Sequence, residues 1–61
     1  MRAMLDQCVE RLEYLYWTGR RKNHEEIVRL AKEIVQAERE TGIKADVDER
    51  IDVYRLSGEK P

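Results

Sequence analysis

Two amphipathic segments joined by a short connection constrain this chain more than any other feature of its sequence. In the first segment, about residues 2–18, apolar side chains recur alternately four and three residues apart. They are Met1, Leu5, Cys8, Leu12 and Leu15. This spacing is typical of the buried seam of an amphipathic helix. The second segment, about residues 23–41, has one apolar face made of Ile27, Leu30, Ala31, Ile34 and Val35. Because only residues 19–23 connect the segments, the sequence predicts an antiparallel helical hairpin.

Residues at the ends of the two segments match common helix caps. Gly19 follows the first segment and Gly42 follows the second, where a left-handed glycine often ends a helix. Asn23 precedes the second segment, and Glu26 stands three residues later, which predicts a reciprocal capping box. The predicted hairpin domain therefore covers residues 1–42.

The C-terminal segment, residues 43–61, is compatible with three structures. Asp46 and Glu49 have the spacing of a capping box, and Gly58 is placed to close a short third helix. One face of that helix carries Val47, Ile51 and Tyr54. The β-branched and aromatic residues of the segment favour an extended arm instead, and disorder is the third alternative. Residues 59–61 are expected to fray.

The chain is too small to bury a large core by itself. It has 61 residues and no phenylalanine, and small domains usually need a disulfide, a metal or a partner copy. Cys8 is the only cysteine and His24 the only histidine, so an internal disulfide and a Cys/His zinc site are both impossible. We therefore expect no metal and no cofactor, and we predict an all-α homodimer in the form of a four-helix bundle. Its predicted core contains Leu5, Cys8, Leu12, Leu15, Ile27, Ala31 and Ile34.

Charge is balanced in this sequence, which has 12 basic and 13 acidic residues and a formal net charge of −1. A chain without a strong net charge has no general attraction to nucleic acid or anionic lipid. No apolar run approaches the ~20 residues that span a bilayer. Asp6 and Glu10 interrupt the stretch where a signal peptide needs apolar residues. The sequence therefore predicts a cytoplasmic protein without a membrane partner.

No motif of a catalytic or nucleotide-binding site occurs in the sequence. The chain has no GxGxxG, Walker, HExxH or GxSxG pattern, and Ser57 is its only serine. We therefore expect no catalytic residue and no enzyme activity. Cys8 is predicted to be a small buried apolar residue, with a redox thiol as the alternative. His24 is predicted to be a solvated residue at the helix start, with a pH switch as the alternative.

Tyr14 and Trp17 carry the most information about function. On a helical wheel both project about 150° from the centre of the apolar seam near Leu12. Either the C-terminal segment covers them with Ile51 or Tyr54, or they form a surface that binds a partner. The second interpretation follows from the dominance of Trp and Tyr among interface hot spots.

A basic cluster of Arg20, Arg21 and Lys22 lies in the predicted turn. These residues either stabilise the C-terminal dipole of the first helix or contact phosphate or nucleic acid. In the second case Tyr16 and Trp17 are near enough in sequence to stack on bases.

Glu38 interrupts the apolar stripe of the second helix. It either marks the end of the bundle core or pairs across an interface with Arg2 or Arg11.

The apolar spacing over about residues 5–40 resembles that of the small sporulation-regulating aspartyl-phosphate phosphatases of bacilli. Those proteins are antiparallel helical hairpins that act on response regulators, and their signature is Ser-x-x-x-Asp on the second helix. The best match here is Ala31-Lys32-Glu33-Ile34-Val35. It lacks both signature residues, so the resemblance implies no catalytic residue in this chain.

These features together favour a small regulatory or adaptor protein that binds another protein and performs no chemistry of its own. A nucleic-acid-binding module that uses the basic turn is the alternative. A degenerate relative of the phosphatase hairpins is the second alternative. Protein binding predicts weak salt dependence and sensitivity to Tyr14 and Trp17, whereas nucleic-acid binding predicts steep salt dependence and sensitivity to residues 20–22.

Overall fold

Three helices make up the regular structure of the residues that the structure describes. The computed structural model describes the backbone of residues 2–58 and the side chains of residues 5–58, so Met1, the side chain of Met4 and the predicted fraying of residues 59–61 lie outside the description. The helices are α1 (Arg2–Gly19), α2 (His24–Thr41) and α3 (Val53–Ser57). Residues 2–58 contain no strand. The prediction of an all-α fold with an N-terminal helical hairpin is confirmed.

The sequence predicts the cap at the C-terminal end of α2 correctly but not the cap at its N-terminal end. Gly42 is left-handed, with φ of 71°, and its N–H donates to the carbonyl of Glu38 at 2.8 Å, as predicted. The capping box of Asn23 and Glu26 is wrong, because no side chain caps the first turn of α2. The amide of Asn23 instead donates to the carbonyl of Gly19 at 3.1 Å, where the end of α1 leaves an acceptor unpaired.

Gly19 is not left-handed, and a side chain there would displace only the Asn23 amide. Gly42 and Gly58 are the only residues with positive φ within the described backbone, so the predicted left-handed cap at Gly19 is wrong. The N–H and the side chain of Asn23 both return to the Gly19 carbonyl. A Cβ at Gly19 would lie 2.9 Å from the Asn23 amide nitrogen. The turn is therefore closed by the close approach of these two residues.

The C-terminal segment is irregular first, with a turn at residues 49–50, and helical only at its end. The predicted helix start at Asp46 is wrong, because α3 begins at Val53 and is capped by Asp52, whose carboxylate accepts from the Arg55 N–H at 3.1 Å. Carboxylates of the hairpin hold the preceding chain. Glu38 accepts from the Ala45 N–H at 2.6 Å, and Glu13 accepts from the Asp48 N–H at 3.0 Å. These bonds occupy donors near the position where the predicted helix would start. The predicted closure at Gly58 is confirmed by its φ of 77°.

The C-terminal segment covers the apolar face of the hairpin. Ile51 and Val53 are buried in the same cluster as Leu12, Ile27 and the other apolar residues of α1 and α2. Six of the seven residues predicted for a dimer core are buried within one chain, and Cys8 is partly buried. The premise that a single chain cannot cover this face is therefore wrong. The described core consists of Leu5, Val9, Leu12, Leu15, Ile27, Leu30, Ala31, Ile34, Val35, Ile51 and Val53.

Glu38 joins the C-terminal segment to α2. One carboxylate oxygen accepts from the Ala45 N–H at 2.6 Å, and the other accepts from the Tyr54 hydroxyl at 2.7 Å. The bond to Glu38 raises the pKa of Tyr54, because it stabilises the protonated phenol. Both carboxylate oxygens of Glu38 are thus engaged within its own chain, and the side chain of Arg2, one of its predicted partners, lies outside the described residues. Arg11, the other predicted partner, pairs with Glu26 at 3.2 Å.

Candidate binding surface

Tyr14 and Trp17 form an exposed aromatic surface on α1. Their exposed fractions are 67% and 53%. The prediction that Ile51 or Tyr54 covers them is wrong, because Ile51 is buried in the core and Tyr54 bonds to Glu38. We call Tyr14 and Trp17 the aromatic surface. Their position on an 18-residue helix fixes the backbone that presents them.

The C-terminal segment reaches the aromatic surface through Arg50. The guanidinium carbon of Arg50 lies 5.1 Å from the centroid of the Trp17 ring, in cation–π geometry. Asp48 holds this guanidinium with two bonds, Nε to Oδ1 at 3.3 Å and Nη2 to Oδ2 at 3.2 Å. The bonds from Arg50 lower the pKa of Asp48, and the same pairing raises the pKa of Arg50. Because Glu13 binds the backbone of Asp48, the segment is anchored to α1 beside Trp17.

A basic groove lies between the hairpin turn and α3. Its volume is about 640 Å³. Arginines from two distant parts of the chain meet there, together with the first residue of α2. The polar and aromatic side chains that define this arginine groove are Tyr16, Arg20, Arg21, His24, Arg50 and Arg55. Among residues 5–58, Asp52 is the one acidic lining residue, so this part of the lining has a formal charge of +3 with His24 neutral.

The four arginines of the groove are neutralised to different extents. Arg20 donates to the Tyr16 hydroxyl at 3.1 Å and lies 5.2 Å from the centroid of that ring. Arg50 is paired with Asp48. Arg21 and Arg55 make no side-chain ion pair with any residue from 5 to 58. Three of the four guanidinium groups, those of Arg20, Arg21 and Arg55, therefore have no ion pair with residues 5–58, although Asp52 lines the same groove.

The sequence predicted part of this site. Arg20 and Arg21 line the groove, as does His24, but Lys22 does not. Reasoning from sequence missed Arg50 and Arg55, because nothing in their local pattern distinguishes them from other exposed arginines. Only the path of the C-terminal segment brings them to the turn. The sequence suggested Tyr16 only as a side chain that stacks on bases. Its spacing of four residues from Arg20 is also the helical spacing that allows the two side chains to contact each other.

Cys8 lies away from the groove and is partly buried. Its thiol is 3.8 Å from a carboxylate oxygen of Glu33. Burial and the charge of Glu33 both raise the pKa of the Cys8 thiol, because both disfavour the thiolate. A raised pKa is the opposite of what a reactive thiol needs. The geometry therefore favours the predicted packing role.

The other residues considered for chemistry do not converge on a site. Ser57 is buried and donates to the Tyr54 carbonyl at 2.9 Å. Ala31 and Val35, which occupy the two signature positions of the phosphatase hairpins, lie in the core. Within the described residues no three His, Cys, Asp or Glu side chains cluster closely enough to hold a metal ion.

Comparison of the chain with protein-family models, curated proteins and solved structures finds no match. Among the helices that the structure describes, none has the length and apolar character to cross a membrane. The functional argument therefore depends on the surfaces described above.

Proposed function

We propose that this chain is a small regulatory or adaptor protein that binds another protein through the aromatic surface, with no chemistry of its own. The observation that carries the proposal is the exposure of Tyr14 and Trp17, at 67% and 53%, beside the stacked guanidinium of Arg50. Trp, Tyr and Arg are the residue types most enriched in interface hot spots. Here all three occur together on one surface.

The surface is also held in place before a partner arrives. Tyr14 and Trp17 are on α1, and Arg50 is fixed by Asp48, whose N–H is bound by Glu13. A side chain that is already ordered loses less conformational entropy when it binds. This preorganisation supports binding without a large rearrangement of the free protein.

The charge next to the aromatic surface indicates an acidic partner. Arg50 contacts Trp17 and also lines the arginine groove, so the aromatic surface and the groove are continuous. Complementary charge at the edge of an interface increases the association rate and excludes partners of like charge. We expect the partner to present carboxylates around an apolar patch.

Site-specific crosslinking in the native host tests the proposal. A photoreactive amino acid replaces Tyr14, and the same residue placed at the exposed Lys32 on α2 serves as the control. The crosslinked partner is identified and purified, and its affinity is measured by calorimetry. Trp17→Ala is expected to weaken binding by about 2 kcal/mol, or roughly 30-fold. Equal crosslinking at both positions, or an unchanged affinity, contradicts the proposal.

We also propose that the predicted homodimer uses the aromatic surface. The seam of Leu12 is covered within the chain by Ile51 and Val53, so a dimer through that seam requires the C-terminal segment to move away. Tyr14 and Trp17 need no such movement. The homodimer and the complex with another protein are then mutually exclusive.

Binding of single-stranded nucleic acid is the second candidate function, favoured by the position of Arg50 between Trp17 and the groove. A positive groove beside exposed aromatic side chains is the combination that such proteins use. This function predicts that affinity for an oligonucleotide falls steeply with salt concentration. It also predicts that Arg21→Gln weakens binding. The slope of log affinity against log salt concentration is expected to become shallower by about one. Weak binding with a flat salt dependence contradicts it.

A further inference from the structure

The arginine groove has the features of a ligand site in its own right. We propose that it binds a phosphate monoester carried on an aromatic group. The groove unites residues of the turn with residues of the C-terminal segment, and its lining has a formal charge of +3 in a chain whose net charge is −1. This inference does not depend on the proposed function, because neither Tyr14 nor Trp17 lines the groove.

Arg21 and Arg55 supply the charge that selects an anion. Both line the groove, and neither is paired with a carboxylate among residues 5–58. Arg21 belongs to the turn and Arg55 to α3. An anion between them is therefore approached by a guanidinium group from each. A guanidinium group offers parallel N–H donors that match two oxygens of a phosphate. Arg20 and Arg50 add positive charge, although both already have partners in the protein.

The N-terminus of α2 contributes a second favourable feature. Its first residue, His24, lines the groove. No side chain caps this end of the helix, because the Asn23 amide is turned to the Gly19 carbonyl. The N–H groups and the dipole of a helix N-terminus favour an anion. Glu25 and Glu26 stand in the same first turn, so the arginines remain the main source of positive potential in the groove.

The acidic residue of the groove is already in use. Asp52 accepts from the Arg55 N–H at 3.1 Å and caps α3. Part of its negative charge is therefore engaged by the backbone at the start of that helix. It orients the first turn of α3, from which Arg55 projects into the groove lining.

The size and the apolar lining indicate what the phosphate is attached to. A volume of about 640 Å³ lies within the range of about 300–1,000 Å³ typical of small-molecule sites, which is far more than a phosphate alone occupies. Leu56 lines the groove beside the ring of Tyr16, and both are partly exposed, whereas Ile27 is fully buried beneath them. Leu56 and Tyr16 suit a flat apolar group, since aromatic rings pack well against aliphatic and aromatic surfaces. An aryl phosphate satisfies the charge and the apolar lining together.

Calorimetric titration with phenyl phosphate tests the site. The test variant is Arg21→Gln with Arg55→Gln, and the matched control is Lys32→Gln with Lys44→Gln, which removes two exposed charges outside the groove. We expect the test variant to bind at least tenfold more weakly and the control to change by less than twofold. Inorganic phosphate is expected to bind at least threefold more weakly than phenyl phosphate, and phenol is expected not to bind.

Three results overturn the proposal. An equal loss of affinity in both double variants shows general charge attraction and not a site. An equal affinity for inorganic phosphate and phenyl phosphate refutes recognition of the aromatic group. Binding that does not saturate at millimolar phenyl phosphate refutes the site itself. Circular dichroism checks that each variant is folded. If the test variant does not fold, nuclear magnetic resonance of the unmodified protein decides the question. Phenyl phosphate must then shift the Leu56 methyl and Arg55 Nε–H signals more than those of Lys32 and Lys44.

Discussion

Leu12 shows how a single residue is determined by the helical repeat. It stands in the middle of the α1 seam, and its side chain has no exposed surface. It belongs to one buried cluster that includes Ile27 of α2 and Ile51 of the C-terminal segment. The sequence identified the side chain as buried but assigned it to the wrong partner surface.

Leu12→Ala is expected to destabilise the fold by about 2–5 kcal/mol, because a fully buried leucine leaves a cavity when it is shortened. Urea denaturation followed by circular dichroism measures the change in unfolding free energy. Tyr14→Ala is the matched control on the same helix, and it is expected to change stability by less than about 0.5 kcal/mol because Tyr14 is exposed. Similar losses in the two variants contradict the assignment of the core.

Cys8 is expected to react slowly with a disulfide reagent in the native protein. Burial and Glu33 raise the pKa of its thiol, so at a given pH less thiolate is present than in the unfolded chain. The reaction rate is therefore expected to rise with pH in both states. The midpoint of this rise is expected at a higher pH in the native protein than in denaturant.

Glu33→Gln separates the effect of charge from that of burial at Cys8. Removing the carboxylate is expected to lower the pKa of the thiol and to increase the native rate, without changing the rate in denaturant. Glu25→Gln, an exposed substitution in the first turn of the same helix, is expected to leave both rates unchanged. A rate that is insensitive to Glu33→Gln shows that burial alone protects the thiol.

At the scale of secondary-structure elements, carboxylates of the hairpin shape the C-terminal segment. Glu38 accepts from the N–H of Ala45, and Glu13 accepts from the N–H of Asp48. These two bonds hold residues 45–48 in a non-helical path. Burial of Ile51 and Val53 then places α3 against α2. The start of this segment has a helical sequence pattern, but it does not form a helix because these carboxylate acceptors bind its N–H groups.

Glu38→Ala is expected to loosen the C-terminal segment at a cost of roughly 1–3 kcal/mol, since it leaves a partly buried N–H without its acceptor. Amide hydrogen exchange at Ala45 reports the loosening directly. Glu40→Ala, which removes an exposed carboxylate bonded only to Gln36 among the described contacts, is the control. Unchanged protection of Ala45 in Glu38→Ala contradicts this account.

A pH titration of Tyr54 gives an independent test of the same contact. Glu38 raises the pKa of Tyr54, so the stabilisation from this bond is complete below the ordinary tyrosine pKa and is lost as pH rises through the native value. Glu38→Gln is expected to bring the absorbance midpoint of Tyr54 down towards that of a free tyrosine.

At the scale of the whole molecule, the aromatic surface is where we expect assembly to occur. The aliphatic core is buried within one chain, whereas Tyr14 and Trp17 remain on the outside. Any association is then expected to involve the aromatic surface, and its strength is expected to depend on Trp17.

Sedimentation equilibrium across the micromolar range tests the proposed homodimer. We expect the mass to rise with concentration from the chain mass of 7.3 kDa towards twice that value. Trp17→Ala is expected to remove the rise, while Lys32→Ala retains it. A constant mass of one chain contradicts the homodimer. A rise that Trp17→Ala leaves intact places the interface elsewhere.

The sequence by itself determined the hairpin, its apolar seam and the position of Tyr14 and Trp17 on the side of α1 away from that seam. These features follow from local periodicity and from the short connection between the helices. Only the tertiary structure decided that Tyr14 and Trp17 stay exposed, that Ile51 and Val53 join the buried cluster of the hairpin, and that Arg50 and Arg55 meet the turn. Those contacts join residues distant in sequence, and they depend on where the Glu13 and Glu38 carboxylates lie once the hairpin has formed.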